Sequence, residues 1–139
     1  MSMLDKLMRA DTKRMTEKPE KDMEIKRLSE LLGEPFVLHI RSLPTQLLAD
    51  ITEMHTTYTK TGRVKSQDNY HIGIDVIVNG VTDPSFKDKD LLKKFGAATP
   101  DDLIEKLFLP GEIGDISNEI SSLCGTKKQQ SEVDDIVKN

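Results

Sequence analysis

Apolar and polar positions change period several times along the chain, and each change predicts an element. Met3, Leu4, Leu7 and Met8 can line one side of a short helix, but EKPEKD (17–22) has the composition of a solvated linker. Residues 1–22 therefore read as a flexible N-terminal arm. Phe36-Val-Leu-His-Ile40 alternates apolar side chains in a β-favouring composition, and Met23-Glu-Ile-Lys-Arg-Leu28 alternates too. Together they predict a short antiparallel hairpin, which must lie on helices because two strands alone are marginal. Between them, Ser29-Glu-Leu-Leu-Gly33 reads as about one helical turn with Gly33 in the left-handed position after it.

From Pro44 the period becomes helical: Leu47, Leu48, Ile51, Met54 and Tyr58 share a face. A polar loop around Gly62 ends that helix. Tyr70 to Val78, YHIGIDVIV, fits two periods. Tyr70, Ile72, Ile74, Val76 and Val78 alternate as in a strand, whereas Tyr70, Ile74, Ile77 and Val81 make a helical stripe. Asn79-Gly80 and Asp83-Pro84 mark a loop, and Lys87–Phe95 reads as a short helix stopped by Gly96. Thr99-Pro100-Asp101-Asp102 combines a capping hydroxyl, a proline suited to the first turn and two carboxylates at the positive end of the dipole. The helix it starts puts Leu103, Ile104, Leu107 and Phe108 on one face. Pro110 ends it near Leu109, and a new helix with Ile113, Ile116, Ile120 and Leu123 inward runs to Gly125. The Pro110-Gly111 step is thus a hinge-like corner between two helices sharing a core. TKKQQSEVDDIVKN (126–139) reads as a flexible tail with a small apolar hook at Val133, Ile136 and Val137. The domain proper is residues 23–125.

Composition narrows the function. The chain has 139 residues, 36% apolar and 32% charged, with a formal net charge of −4. Residues 1–30 carry eight Lys/Arg against seven Asp/Glu, and the rest twelve against seventeen. With no basic stripe and few aromatics to stack on bases, a nucleic-acid partner is not expected. The apolar runs are too short to span a bilayer, and Asp5 interrupts any signal-peptide core, so a cytosolic protein without a membrane partner is expected.

No spacing points to catalysis or to a cofactor. His39, His55 and His71 are isolated in sequence, with no HExxH, CxxC or comparable metal-ligand pattern, so no metal is expected. Cys124, the single cysteine, reads as a small buried hydrophobe. The acidic pairs lack calcium-loop spacing, and Gly111 and Gly114 do not complete a nucleotide-binding fingerprint. What remains is interaction chemistry. Leu107-Phe108-Leu109-Pro110 crowds four apolar residues at the corner, and core packing is its plainer reading, with exposure of some of them the alternative.

Three stretches carry a family resemblance: EKPEKDMEIKRLSELLGEPFVLHIRSL, VNGVTDPSFKDKDLLKKFGAATPDDLIEKLFLPGEI and NEISSLCG. In order and spacing, from about Lys18 to Gly125, they resemble the XkdN-like phage tail assembly chaperones of Gram-positive phages and prophages, such as the Bacillus elements encoding XkdN and YqbN. The resemblance implies a non-enzymatic assembly factor in the cytoplasm of the bacterial host. Such a factor binds the long tape-measure protein and keeps it soluble until tail-tube subunits polymerise around it, and it is absent from the mature particle. A structural tail or baseplate component is the alternative. The resemblance also implies a mainly α fold, a small helical domain with the short N-terminal hairpin and two flexible arms, in which residues 70–78 are helical. Such chaperones are often made in two lengths by a ribosomal frameshift, so the closing Lys138-Asn139 pair leads us to expect the short form. Partners would then include the tape measure, the tail-tube protein, a longer form of the chain and further copies of itself. The expected contact residues are Leu4, Leu7 and Met8 on the arm, Leu107, Phe108, Leu109 and Pro110 at the corner, and Val133, Ile136 and Val137 on the tail.

Overall fold

Alternation in FVLHI correctly marks a strand, though its partner lies earlier than expected. In the computed structural model, which describes residues 1–126, β2 is Val37–Arg41, with Leu38 and Ile40 fully buried. It pairs antiparallel with β1, Glu20–Glu24, placing Met23 opposite Leu38 and Asp22 opposite His39. Residues 26–28 are not strand. The Ile25 N–H donates to the Phe36 carbonyl at 3.1 Å, and the chain then coils into α3, Lys26–Leu32. The reason lies in burial at helical spacing: Ile25 and Leu28 both reach the core, three residues apart. Ser29 ties this helix to both strands, accepting from the Phe36 N–H at 2.7 Å and donating to the Glu24 carboxylate at 2.8 Å. Gly33, at φ 81°, closes it as its sequence position predicts.

Helix α4 spans Thr45–Met54 and does not reach Tyr58. The β-branched run Thr56-Thr57 leaves the helix to form β3, Thr56–Tyr58, paired with β4, Val64–Gln67, across a turn with Gly62 at φ 87°. Asp68 then caps α5, Asn69–Gly80, by accepting from the His71 N–H at 3.1 Å. YHIGIDVIV is thus helical, with Ile74 and Ile77 at zero exposure. Tyr70, expected inward, is half-exposed instead. Val81–Asp83 forms β5 on the free edge of β2, giving the order β1-β2-β5.

Two short helices and one long one complete the domain: α6, Lys89–Lys94; α7, Pro100–Leu107; and α8, Pro110–Leu123. The Thr99 hydroxyl accepts from the Asp102 N–H at 3.1 Å, as the start signal requires. α8 packs along α5 and touches β2, and its Ile116 and Ile120 fill the core with Leu38, Ile40, Ile74, Ile77, Phe86, Leu103 and Ile104. Glycines set that approach. A Cβ on Gly80 would lie 2.7 Å from Ile120 Cδ1 and 2.8 Å from its Cγ2, and one on Gly73 would lie 3.2 Å from Ser117 Oγ.

A mainly α class is therefore corrected. Helices account for 56% of the described residues, but strands in two antiparallel sheets account for 16%, and the fold is mixed α/β. The strands escape notice for a physical reason. β1 and β4 are edge strands whose side chains are nearly all exposed, so neither shows an apolar alternation. The N-terminal arm also carries regular structure, α1 at Met3–Arg9 and α2 at Thr12–Thr16, with no buried residue in either helix.

Candidate partner-binding surface

The corner between α7 and α8 is held by a residue from far along the chain. Proline at the first position of α8 stops α7 and leaves its last carbonyls without helical partners. Arg27 of α3 supplies one: its Nη2 donates to the Leu107 carbonyl at 2.9 Å. The same guanidinium forks onto Glu112, Nε to Oε2 at 3.0 Å and Nη2 to Oε1 at 2.8 Å. Glu112 in turn accepts from the Leu109 N–H at 2.8 Å. The hydrogen bond from Arg27, ahead of every other influence, holds the Glu112 carboxyl below the usual carboxylate range. The corner is a clamped joint between three helices.

Clamping sorts the four apolar corner residues. Phe108 is 4% exposed, its ring edge-on to Phe36 (centroids 6.3 Å apart, 72° between planes) and to Phe86 (5.8 Å, 83°). It belongs to the core. Leu107 is half-buried against the same cluster. Leu109 is 52% exposed and Pro110 is exposed as well, so the outer half of the corner faces solvent. Leu31, not singled out by the sequence reading, stands 74% exposed one turn beyond Arg27, on the side of α3 that reaches the corner. Its position in a leucine pair at a helix end carries no local signal that separates a contact from a core residue.

The arm presents a second apolar surface. Ser2 and Asp5 close a capping box at the start of α1: the Asp5 N–H donates to Ser2 Oγ at 3.1 Å, and the Ser2 N–H to Asp5 Oδ2 at 3.3 Å. The helix so started leaves Met3, Leu4, Leu7 and Met8 between 51% and 79% exposed. The tail residues Val133, Ile136 and Val137 lie outside the described residues.

A third feature had no sequence signal. Between α4 and the end of α8 lies an open groove of about 650 Å³, walled by Leu43, Leu48, Ala49, Thr52, Leu123 and Cys124, with Lys18 and Pro19 at its rim. Cys124 is part of the wall, and its Sγ accepts from the Leu43 N–H at 3.4 Å.

The histidines are not isolated in space. His39 bonds Asp22 at 2.6 Å and Glu20 at 3.2 Å, His55 bonds Asp75 at 2.6 Å, and His71 bonds Asp68. The His55 and His71 rings stack 5.8 Å apart. Hydrogen bonds to Asp22 and Asp68 are the leading reasons that the pKa values of His39 and His71, respectively, are raised. Among the described residues, no three His, Cys, Asp or Glu side chains are grouped to hold a metal ion, and no helix is long and apolar enough to cross a membrane.

A saturated core, a clamped corner and uncovered apolar side chains on arm and corner describe a small mixed α/β protein equipped to touch other polypeptides. Residues 4–137 match the phage XkdN-like tail assembly chaperone family, and the chain belongs to that family. The match runs beyond the stretch that carries the resemblance in sequence and takes in most of the arm. Among solved structures, the chain is similar to the crystal structure of the protein YqbN, with a TM-score of 0.60 at 16% identity, over 84% of this chain and 96% of that one. At that identity the likeness is one of fold. None of the curated proteins matches the chain.

Proposed function

We propose that the chain acts as the chaperone of a phage tape-measure protein, holding it soluble in the host cytoplasm until tail-tube subunits polymerise around it, and that it leaves before the particle is complete. The observation that carries this reading is an N-terminal helix with every apolar side chain uncovered, on a member of a tail assembly chaperone family. Its chemistry suits a partner of repetitive and varied sequence. Four of the chain's six methionines, Met1, Met3, Met8 and Met15, lie in the first fifteen residues, and all four are exposed. Unbranched thioether side chains adapt to differently shaped apolar faces. Many copies along one long partner gain avidity without a tight individual site. Leu109 and Pro110 at the corner, and Val133, Ile136 and Val137 on the tail, are the further contacts we assign to this partner. The tail-tube protein and a frameshifted longer form of the chain are the other partners this reading entails.

Co-expression with the tape-measure protein tests it. The expected outcome is soluble tape measure that co-purifies with the full chain and is lost with the Leu4→Asp/Leu7→Asp variant. Insoluble tape measure beside free, folded chain would overturn the reading. Mass spectrometry of purified particles tests departure: stoichiometric copies of the chain there would make it a structural tail or baseplate component instead.

A further inference from the structure

We propose that the β3–β4 hairpin is a second contact for the chaperoned polypeptide, and that the segments it takes are acidic with apolar side chains interleaved. The inference rests on the tape-measure reading and adds the chemistry of the partner segments. Strands β3 and β4 pair only with each other, and a two-stranded sheet is marginal unless something covers one of its faces. This hairpin is nevertheless well tied. The Thr59 N–H donates to the Arg63 carbonyl at 2.8 Å, the Thr57 and Ser66 hydroxyls meet across the strands at 2.7 Å, and at the base the Asp68 N–H donates to the His55 carbonyl at 2.9 Å. Its two apolar residues, Tyr58 and Val64, stand directly opposite in the register and so share a face, 46% and 59% exposed. An ordered ribbon with an uncovered apolar pair is a docking face.

Charge names the occupant. Residues 56–67 carry Lys60, Arg63 and Lys65 and no carboxylate, a net of +3. Among the described residues, none of these three cations is ion-paired. The arm has the same make-up: residues 1–16 set Lys6, Arg9, Lys13 and Arg14 against Asp5 and Asp11, a net of +2, around the uncovered apolar side chains of α1. Everything else carries thirteen cations against twenty-two anions, a net of −9. Two uncovered apolar surfaces, each bordered by positive charge on an otherwise acidic chain, fit one partner whose apolar residues are interleaved with carboxylates. Such a segment is drawn to the arm and the hairpin and repelled by the acidic body, so it is gripped without being enclosed. Nucleic acid suits this face less well. The Tyr58 hydroxyl donates to the Glu53 carboxylate at 2.6 Å, which fixes a negative charge beside the one hairpin ring on which a base could stack.

The test uses the full chain and the tape-measure protein. Lys60→Glu/Arg63→Glu/Lys65→Glu should melt as the parent does, since all three side chains are exposed. It should hold tape measure roughly tenfold more weakly, the combined effect of three exposed charge pairs of ordinary strength. The neutral set Lys60→Gln/Arg63→Gln/Lys65→Gln should fall between. On an array of overlapping tape-measure peptides, the parent should favour those that are acidic and carry apolar residues, and the reversed variant should lose that preference. Raising salt should weaken binding by the parent more steeply than binding by the variant.

A reversed variant that retains tape measure as tightly as the parent overturns the inference and leaves the tape-measure reading standing. Peptide binding with no preference for acidic sequences overturns it as well. Tape measure insoluble beside folded parent and folded variant alike is a different failure, that of the tape-measure reading, and the inference falls with it. Duplex DNA bound by the parent and released by the reversed variant, with equal retention of tape measure by both, would give the hairpin to nucleic acid and refute the proposal.

Discussion

Phe108 and Leu109 are neighbours in sequence with opposite expected behaviour, and replacing each in turn tests the division of the corner. Phe108 is 4% exposed and contacts Phe36 and Phe86 edge-on. Truncating a buried phenylalanine to alanine costs roughly 3–5 kcal/mol, because the transfer free energy is lost and the surrounding core only partly collapses into the cavity. The two ring pairs place Phe108→Ala in the upper part of that range, since such pairs add about 0.5–1.5 kcal/mol beyond area burial. For a domain of this size the loss corresponds to a melting temperature lower by about 10–20 °C. Leu109→Ala, at a side chain 52% exposed, should stay within about 0.5 kcal/mol of the parent.

Urea denaturation followed by circular dichroism measures both changes, and equal slopes for parent and variants would license the comparison. Phe108→Leu keeps most of the volume and should lose less than about 1.5 kcal/mol. A Phe108→Ala variant as stable as the parent would refute the reasoning, because the three-ring cluster could not then be the structural end of the corner. A Leu109→Ala loss equal to that of Phe108→Ala would refute it from the other side. If the assignment holds, the two variants part again in the tape-measure assay. Leu109→Asp should impair co-purification with folding intact, whereas the Phe108 defect should follow melting.

Three further expectations concern the frame around the corner. Gly80→Ala should destabilise the chain by about 1–2 kcal/mol, since the added methyl meets the fully buried Ile120 at 2.7–2.8 Å and overpacking outweighs the usual helical gain from alanine; Gly73→Ala, opposite the Ser117 hydroxyl at 3.2 Å, should be close to neutral, and equal melting shifts would refute the close-approach account. Arg27→Ala should move the Glu112 carboxyl up towards the ordinary carboxylate range, followed by NMR titration, and Arg27→Lys should restore only part because an ammonium lacks the planar fork; an unmoved Glu112 titration would remove Arg27 from the clamp. Raised folded pKa values at His39 and His71 give a contribution to stability that is complete below about pH 6.5 and lost as pH rises through the folded values. Denaturation midpoints between about pH 5.5 and 8 should therefore fall less steeply in His39→Gln/His71→Gln, and an identical slope would refute the linkage.

Elements were legible wherever their own residues carried the cause. The start of α7 is written in Thr99, Pro100 and the two following aspartates, and the break before α8 in Pro110, so both appear where local chemistry puts them. β2 is legible because Leu38 and Ile40 go to zero exposure between half-exposed neighbours. Its partner β1 is illegible because an edge strand with only Met23 partly covered has no inside to alternate against. The stretch at 70–78 supports both periods in isolation. It is helical because Gly73 and Gly80 let α5 lie close on α8, a contact with residues some forty positions away that periodicity cannot register. The site follows the same rule at longer range. The corner was visible as four crowded apolar residues, but which of them face inward is decided by Phe36, Phe86 and Arg27, each 22 or more positions distant in sequence. The groove is made from three separate segments and leaves no local trace. Burial and clamping thus draw Phe108 into the core and turn Leu109 outward, while α1 keeps its apolar face uncovered among the described residues. An uncovered side chain beside a fully satisfied core is what distinguishes a contact from a packing residue, and only assembly of the distant parts reveals it.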